Sequence, residues 1–282
     1  MLRIPFRGRI FRERGGGILN TFCLPVATLW WREIVRFTRE RSRILGLVAA
    51  PFLFWLFLGA GLGQSFRPPS APSGPGYLQY FFPGTVVMVV LFTSIFSAMS
   101  VIEDRREGFL QSVLAAPVSR ASIVLGKVLG GATQAVIPGF LFLLMGPAVG
   151  LSLAPGKLIE LTAILFLISF ALTSLGFAIA WWMDSVQGFH AIMNLVLIPM
   201  WLLSGALFPA SGAAPWVQTV MQLNPLTYAV SALRRSLLGQ TGFIGGDVAS
   251  LSLSIEITAL FGLAAMTVAL MECRRPTIKS AG

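Results

Sequence analysis

The sequence predicts an all-α, polytopic membrane protein with six transmembrane helices, and three observations carry that prediction. Apolar residues make up 55% of the 282-residue chain against 11% charged residues, with a mean hydropathy of +0.79, far more apolar surface than a soluble fold needs. The apolar residues come in blocks about as long as the ~20 residues a helix needs to cross a bilayer core, rather than in the amphipathic period of a soluble core. Lysine and arginine gather on alternate connections, as membrane topology requires. The same segregation explains the net charge of +10 without nucleic acid as a partner.

Residues 1–43 read as a cytoplasmic tail followed by an amphipathic helix. The start is rich in arginine (Arg3, Arg7, Arg9, Arg12, Arg14) and mixed in character up to the first long apolar block, so no cleavable signal peptide is expected. Ala27, Trp30, Ile34 and Phe37 then recur every three or four residues, with Arg32, Arg36, Arg39 and Arg43 on the other side. Trp30 and Trp31 suit the headgroup zone of membrane lipid, while Arg32 and Arg36 suit anionic lipid or an acidic protein partner. An interfacial anchor and a docking surface both remain open.

The transmembrane domain spans 44–271, with spans expected at 44–65, 80–102, 123–151, 158–182, 189–208 and 251–271, before a short tail at 272–282. Pro51, Pro138, Gly146 and Pro147 lie inside these blocks and are tolerated where neighbouring helices satisfy the freed backbone groups. With six spans both termini share a side. That side carries seventeen of the lysines and arginines, and only Arg67, Lys157, Arg234 and Arg235 fall opposite, which predicts cytoplasmic termini. Residues 67–76 (RPPSAPSGPG) read as an extended outer linker.

Two connections are more than linkers. Residues 103–117 begin with dense mixed charge and continue into Phe109, Leu110, Val113 and Leu114, which share one face of a short helix that Pro117 stops. Such a face in the cytosol needs a cover, either the membrane surface or a cytosolic protein. Residues 209–250 hold two helical pieces too short to cross, 215–223 and 225–238, the second capped by Asn224 with Pro225 at its first position. With Tyr228 and the surrounding apolar residues they fit a re-entrant outer hairpin.

Catalytic chemistry finds no footing. The two Gly-Lys pairs, at Gly126 and Gly156, lack the upstream glycine and the following Ser or Thr of a phosphate-binding loop. One histidine, His190, two distant cysteines, Cys23 and Cys273, and scattered carboxylates make no triad and no metal site. Of the polar residues inside spans, Gln134 and Asn194 suit bonds across helices, with a substrate path as the sharper reading. Glu160 and Glu256 lie near outer ends, where they are inexpensive.

Three stretches together resemble the membrane subunit of ABC-2 type exporters: EDRREGFLQSVLAAPVSRASIVLGK (103–127), LSGALFP (203–209) and NPLTYAVSALRR (224–235). The resemblance implies a coupling helix seated in a cytosolic ABC ATPase, with Arg105, Arg106, Glu107 and Gly108 at its charged start and Phe109, Leu110, Val113 and Leu114 as its anchors. It also implies an interface helix around Trp30, Trp31, Arg32 and Arg36, and a re-entrant pair at Asn224, Pro225 and Tyr228. ATP and Mg would be bound by the partner subunit and no cofactor by this chain. A second permease copy, identical or not, would complete an exporter in a bacterial inner membrane. Phe109 stands where a small hydroxyl residue is common in the family, Gln111 where Glu is common and Ser231 where Asp is frequent. The rival expectation is a stand-alone secondary transporter or channel driven by an ion gradient, which needs ionisable groups near the bilayer midplane.

Overall fold

Long apolar runs become helices throughout the computed structural model, which describes residues 22–62, 76–239 and 248–274. No strand occurs among these residues. The expected arginines before residue 22, the linker at 67–75, residues 240–247 of the hairpin connection and the tail after 274 lie outside them. The chain runs through α1 (Leu24–Arg39), α2 (Arg41–Leu62), α3 (Tyr77–Ala98), α4 (Ser100–Arg106), α5 (Phe109–Ala115) and α6 (Arg120–Leu143). It continues through α7 (Pro155–Trp182), α8 (Val186–Leu202), α9 (Pro215–Leu223), α10 (Pro225–Leu238) and α11 (Leu251–Arg274).

Among the described residues five helices are long and apolar enough to cross a membrane: α2, α3 continued by α4, α6, α7 and α11. The sixth expected span is α8, a shorter apolar helix of 17 residues, about 25 Å at 1.5 Å per residue. It begins earlier than expected because Ser185 caps it, accepting a hydrogen bond from the Gly188 N–H at 3.2 Å. It stops at Leu202, short of the expected 208, and Gly205 turns the chain at φ +75°. The third expected span also ran too far. Residues 146–149 leave the α-helix as a 3-10 turn because Pro147 cannot donate to a helical ladder.

The core is centred on α3, whose Tyr80, Phe81, Phe82, Val86, Val87, Val89, Val90 and Leu91 are fully buried between α2, α6 and α7. α11 packs on α7 and α10. Side-chain bonds tie each end of the bundle. At the arginine-rich end, Arg105 donates to the Trp181 carbonyl at 2.6 Å, and Arg120 donates to the Cys273 and Arg274 carbonyls at 2.9 Å each, satisfying the C-terminal carbonyls of α11. At the opposite end, the Tyr77 hydroxyl donates to the Leu207 carbonyl at 3.3 Å and Lys157 to the Leu237 carbonyl at 3.2 Å.

Candidate functional site

The polar chemistry of the bundle concentrates at the arginine-rich end, where α1 crosses α6. Backbones approach closely there because α6 offers Gly126 and Gly130: a Cβ on Gly126 would meet the Leu29 Cβ at 2.8 Å, and one on Gly130 the Glu33 Cβ at 2.7 Å. This contact sets the rotation of α1 so that, of the apolar stripe expected at 27, 30, 34 and 37, Phe37 alone is buried. Leu29, Glu33 and Phe37 are the residues it buries, while Trp30 donates its indole N–H to the Thr133 hydroxyl at 3.1 Å and Trp31 stays exposed.

Burying Glu33 requires a counter-charge, and Lys127 on α6 supplies it at 2.7 Å. Glu33 is 2% and Lys127 4% exposed. Lys127 also reaches Asp104 on α4, which is fully buried, and the Ser100 hydroxyl at 3.1 Å. Asp104 in turn accepts two bonds from the Arg32 guanidinium, at 2.7 and 2.9 Å, a bidentate geometry that fixes direction as well as distance. Arg36 pairs with Glu103 and stands 3.5 Å from Asp104. Burial disfavours the Arg32 charge, but the hydrogen bond and field of Asp104 outweigh it and hold the guanidinium above its ordinary value. Arg32, Arg36 and Lys127 are thus interleaved with Glu33, Glu103 and Asp104 across three helices. Gln134 completes the cluster from α6 by donating to the Glu33 carbonyl at 2.8 Å, so its amide is spent on helix packing.

The segment expected to couple is two helices joined by a turn. Gly108, at φ +78°, sits in the left-handed region that a glycine adopts without strain, and so α5 leaves α4 at an angle. α5 turns its apolar side toward this chain's own core. Leu110 is 3% exposed, Phe109 lies under the Arg32 guanidinium at 3.8 Å, and Val113 and Leu114 pack against the core. This differs from the expected docking face, for the physical reason that an apolar face beside an open core is covered first by that core. Arg105 and Arg106, expected at a partner, are engaged by the end of α7: Arg105 as above and 3.3 Å from Asp184, Arg106 through two bonds to the Asp184 carbonyl at 3.0 and 2.7 Å. The face of α5 left to solvent consists of Gln111, Ser112 and Ala115, preceded by Glu107. A groove of about 410 Å³ runs beside it, between Leu24, Thr28 and Leu29 of α1 and Phe109, Ser112 and Val113 of α5.

At the other end, Asn224 caps α10, whose first residue is Pro225, by accepting from the Leu226 N–H at 3.0 Å and donates to the Leu203 carbonyl at 3.0 Å, so Asn224 binds the hairpin to the end of α8. Tyr228 donates to the Gln222 carbonyl at 2.7 Å, within the hairpin. Arg234, counted in the sequence as an outer charge, is buried. It donates to the Gly205 carbonyl at 2.7 Å and lies 4.2 Å over the Tyr80 ring. Its neighbour Ser231, where an acid is frequent in the resemblance, donates to the Ala249 carbonyl at 3.4 Å. Asn194, the other polar residue expected in a path, faces away from the bundle.

A cavity of about 530 Å³ opens between α2 and α3, lined by Gly46, Ala50, Pro51, Met88, Phe92 and Phe96 among others. His190 of α8 meets Phe96 at 5.1 Å. Phe54, Phe81 and Trp201 gather nearer the opposite end, with centroids 5.8 to 6.0 Å apart. Among the described residues no group of three or more His, Cys, Asp or Glu is placed to hold a metal ion.

Residues 25–238 match the ABC-2 type transporter family. The Cyanophora paradoxa protein ycf38, named as a transport permease, is 29% identical over 80% of this chain and 79% of its own. The daunorubicin resistance ABC transporter permease DrrB1 of Streptomyces coeruleorubidus is 24% identical over 76% of this chain and 75% of its own. Nodulation protein J of Neorhizobium galegae is 26% identical over 79% of this chain and 87% of its own.

Proposed function

The chain belongs to the ABC-2 type transporter family, and we propose that it is the membrane subunit of an exporter whose ATP and Mg are bound by a separate cytosolic ABC ATPase. The observation that carries this reading is the position of α5. It presents a small, polar outer face on a mount that buried ion pairs tie to α1, α4 and α6. A push on α5 then reaches the bundle without being lost in a flexible loop. The arginine-rich end is cytoplasmic in this reading, both termini lie on that side, and the membrane is a bacterial inner membrane.

The anchoring residues divide in two. Phe109, Leu110, Val113 and Leu114 hold α5 to its own subunit, whereas Glu107, Gln111, Ser112 and Ala115 meet the ATPase. Placing glutamates at Ser112 and Ala115 puts unpaired charge into that contact and gives up internally only the exposed bond of the Ser112 hydroxyl to the Gly108 carbonyl, at 3.2 Å. Co-purification of the Walker-type ATPase encoded nearest to this chain is expected to fall at least ~10-fold, a loss of ~1.4 kcal/mol, with membrane insertion unchanged. Undiminished co-purification would remove α5 from the contact.

The apolar cavity between α2 and α3 supports a lipophilic small molecule or lipid as cargo, in keeping with the drug-resistance relative. A stand-alone carrier driven by an ion gradient needs an ionisable group free to exchange an ion, and Glu33, Asp104 and Lys127 are instead engaged with one another.

A further inference from the structure

α8 is strapped at both of its ends to one long helix. α3 and α4 form a single span of 30 residues, 77–106, about 45 Å at 1.5 Å per residue. At the outer end of this rod, Trp201 of α8 donates its indole N–H to the Gly84 carbonyl at 2.8 Å, and the Tyr80 hydroxyl donates to the Gly205 carbonyl at 2.9 Å. The chains pack closely there: a Cβ on Gly84 would meet the Ala206 Cα at 2.8 Å. At the inner end, two guanidinium groups of α4 hold the turn at 183–185 that leads from α7 into α8. Arg105 donates to the Trp181 carbonyl at 2.6 Å and to the Met183 carbonyl at 3.4 Å, with its cation 5.3 Å from the Trp181 ring centroid. Arg106 gives both of its bonds to the Asp184 carbonyl. Between these ends α8 offers the core only Phe189, Met193, Leu197 and Trp201.

The inner bonds go to backbone oxygens, so they fix the path of the chain and not the rotamer of one side chain. Charge-assisted donors are about twice as strong as neutral ones, and here they satisfy carbonyls that the end of α7 leaves open. Burial contributes little, since Trp182 and Asp184 are exposed and Met183 and Ser185 only half-buried. A displacement of α5 that tilts α4 therefore carries the inner end of α8 with it. The outer end of α8 bears the hairpin through Asn224. We infer that Arg105 and Arg106 are positioning residues for export: their clamp on the turn at 183–185 makes α8 follow α4 and α5, and without it the motion of α5 is not delivered to α8. This rests on the exporter reading, which supplies the ATPase that pushes on α5. Coupling of this kind is carried by rigid elements in contact, and each contact can be cut separately.

The test uses the full chain assembled with its ATPase in lipid nanodiscs, with Cys23 and Cys273 replaced by serine. One spin label per chain sits at Ala116→Cys, on the cap of α5, or at Gln187→Cys, on the exposed first turn of α8. Vanadate trapping is expected to shift both distances between copies in the parent. With Arg105→Gln and Arg106→Gln together, the shift at Ala116→Cys stays and the shift at Gln187→Cys is lost. Lysine at both positions, which keeps the charge but not the fork of donors, is expected to restore part of it, a recovery that a damaged fold does not show. Arg106→Gln alone, at an exposed site, is expected to reduce the α8 shift and carries the test where the double variant fails to assemble. An undiminished α8 shift in these glutamine variants overturns the inference. So does loss of both shifts at once, which places the two arginines at the ATPase contact, or a parent in which α5 moves and α8 does not. A parent in which vanadate moves neither label sinks the exporter reading instead.

Discussion

Replacing Lys127 with methionine lowers the stability of the folded chain by about 3–5 kcal/mol, the cost of leaving a buried ion pair with one partner missing. Methionine nearly preserves the volume, so the loss is electrostatic. Among the described residues Glu33 then keeps only Arg32, at 3.4 Å, as a cation beside it, and Asp104 loses one of its partners. A second change, Glu33→Gln, removes the stranded carboxylate and leaves Asp104 paired with Arg32, so the double variant recovers much of the stability. Thermal unfolding in one detergent measures both. An unchanged midpoint for Lys127→Met, or a double variant no better than the single, means that the cluster does not hold α1 and α4 to α6.

Gly130→Val is the second large effect, at about 1–3 kcal/mol for forcing atoms into a packed contact. Its Cβ would lie 2.7 Å from the Glu33 Cβ and 2.9 Å from its Cγ, atoms too close to the α1 backbone to swing aside. Relief requires α1 to move off α6, which lengthens the Glu33–Lys127 pair. For that reason the cost is less than additive with Lys127→Met. Gly46→Ala on α2, where an added Cβ meets nothing within 4 Å, is the control and is at least as stable as the parent, since alanine favours a helix over glycine. Equal midpoints for Gly130→Val and Gly46→Ala would contradict the close crossing.

Fold class was legible because a membrane span is written in composition over ~20 residues, a signal that survives errors of a few positions. Helix ends were less so. They turn on single groups such as the Ser185 cap and the missing N–H of Pro147, which a hydropathy block does not register. The N-cap at Asn224 was readable from Asn-Pro alone, because that pair has a local mechanism. The ionic cluster was missed since its members are far apart in sequence: Glu33 reads as one acid among arginines, Asp104 as part of a charged run and Lys127 as a topology signal. The available clue was Gly126 and Gly130 flanking Lys127, which marks a close helix crossing with a cation in it. The direction faced by Phe109 and Leu110 could not be read locally. A helical stripe shows that a face must be covered, and only the tertiary fold shows by what.

In the proposed exporter, α5 and α6 move as one block when the ATPases close. The direct measurement is a pair of spin-label distances in the assembled transporter in lipid nanodiscs, without nucleotide and after vanadate trapping, with the native cysteines replaced by serine. One pair joins Ala116→Cys, exposed at the C-terminal cap of α5 and outside the residues that meet the ATPase, to Ile137→Cys, an exposed site on α6, within a subunit, and the other joins Ala116→Cys to its counterpart in the second copy. An unchanged distance within the subunit and a shifted one between subunits are expected. A change between α5 and α6, with the distance between subunits constant, would contradict it.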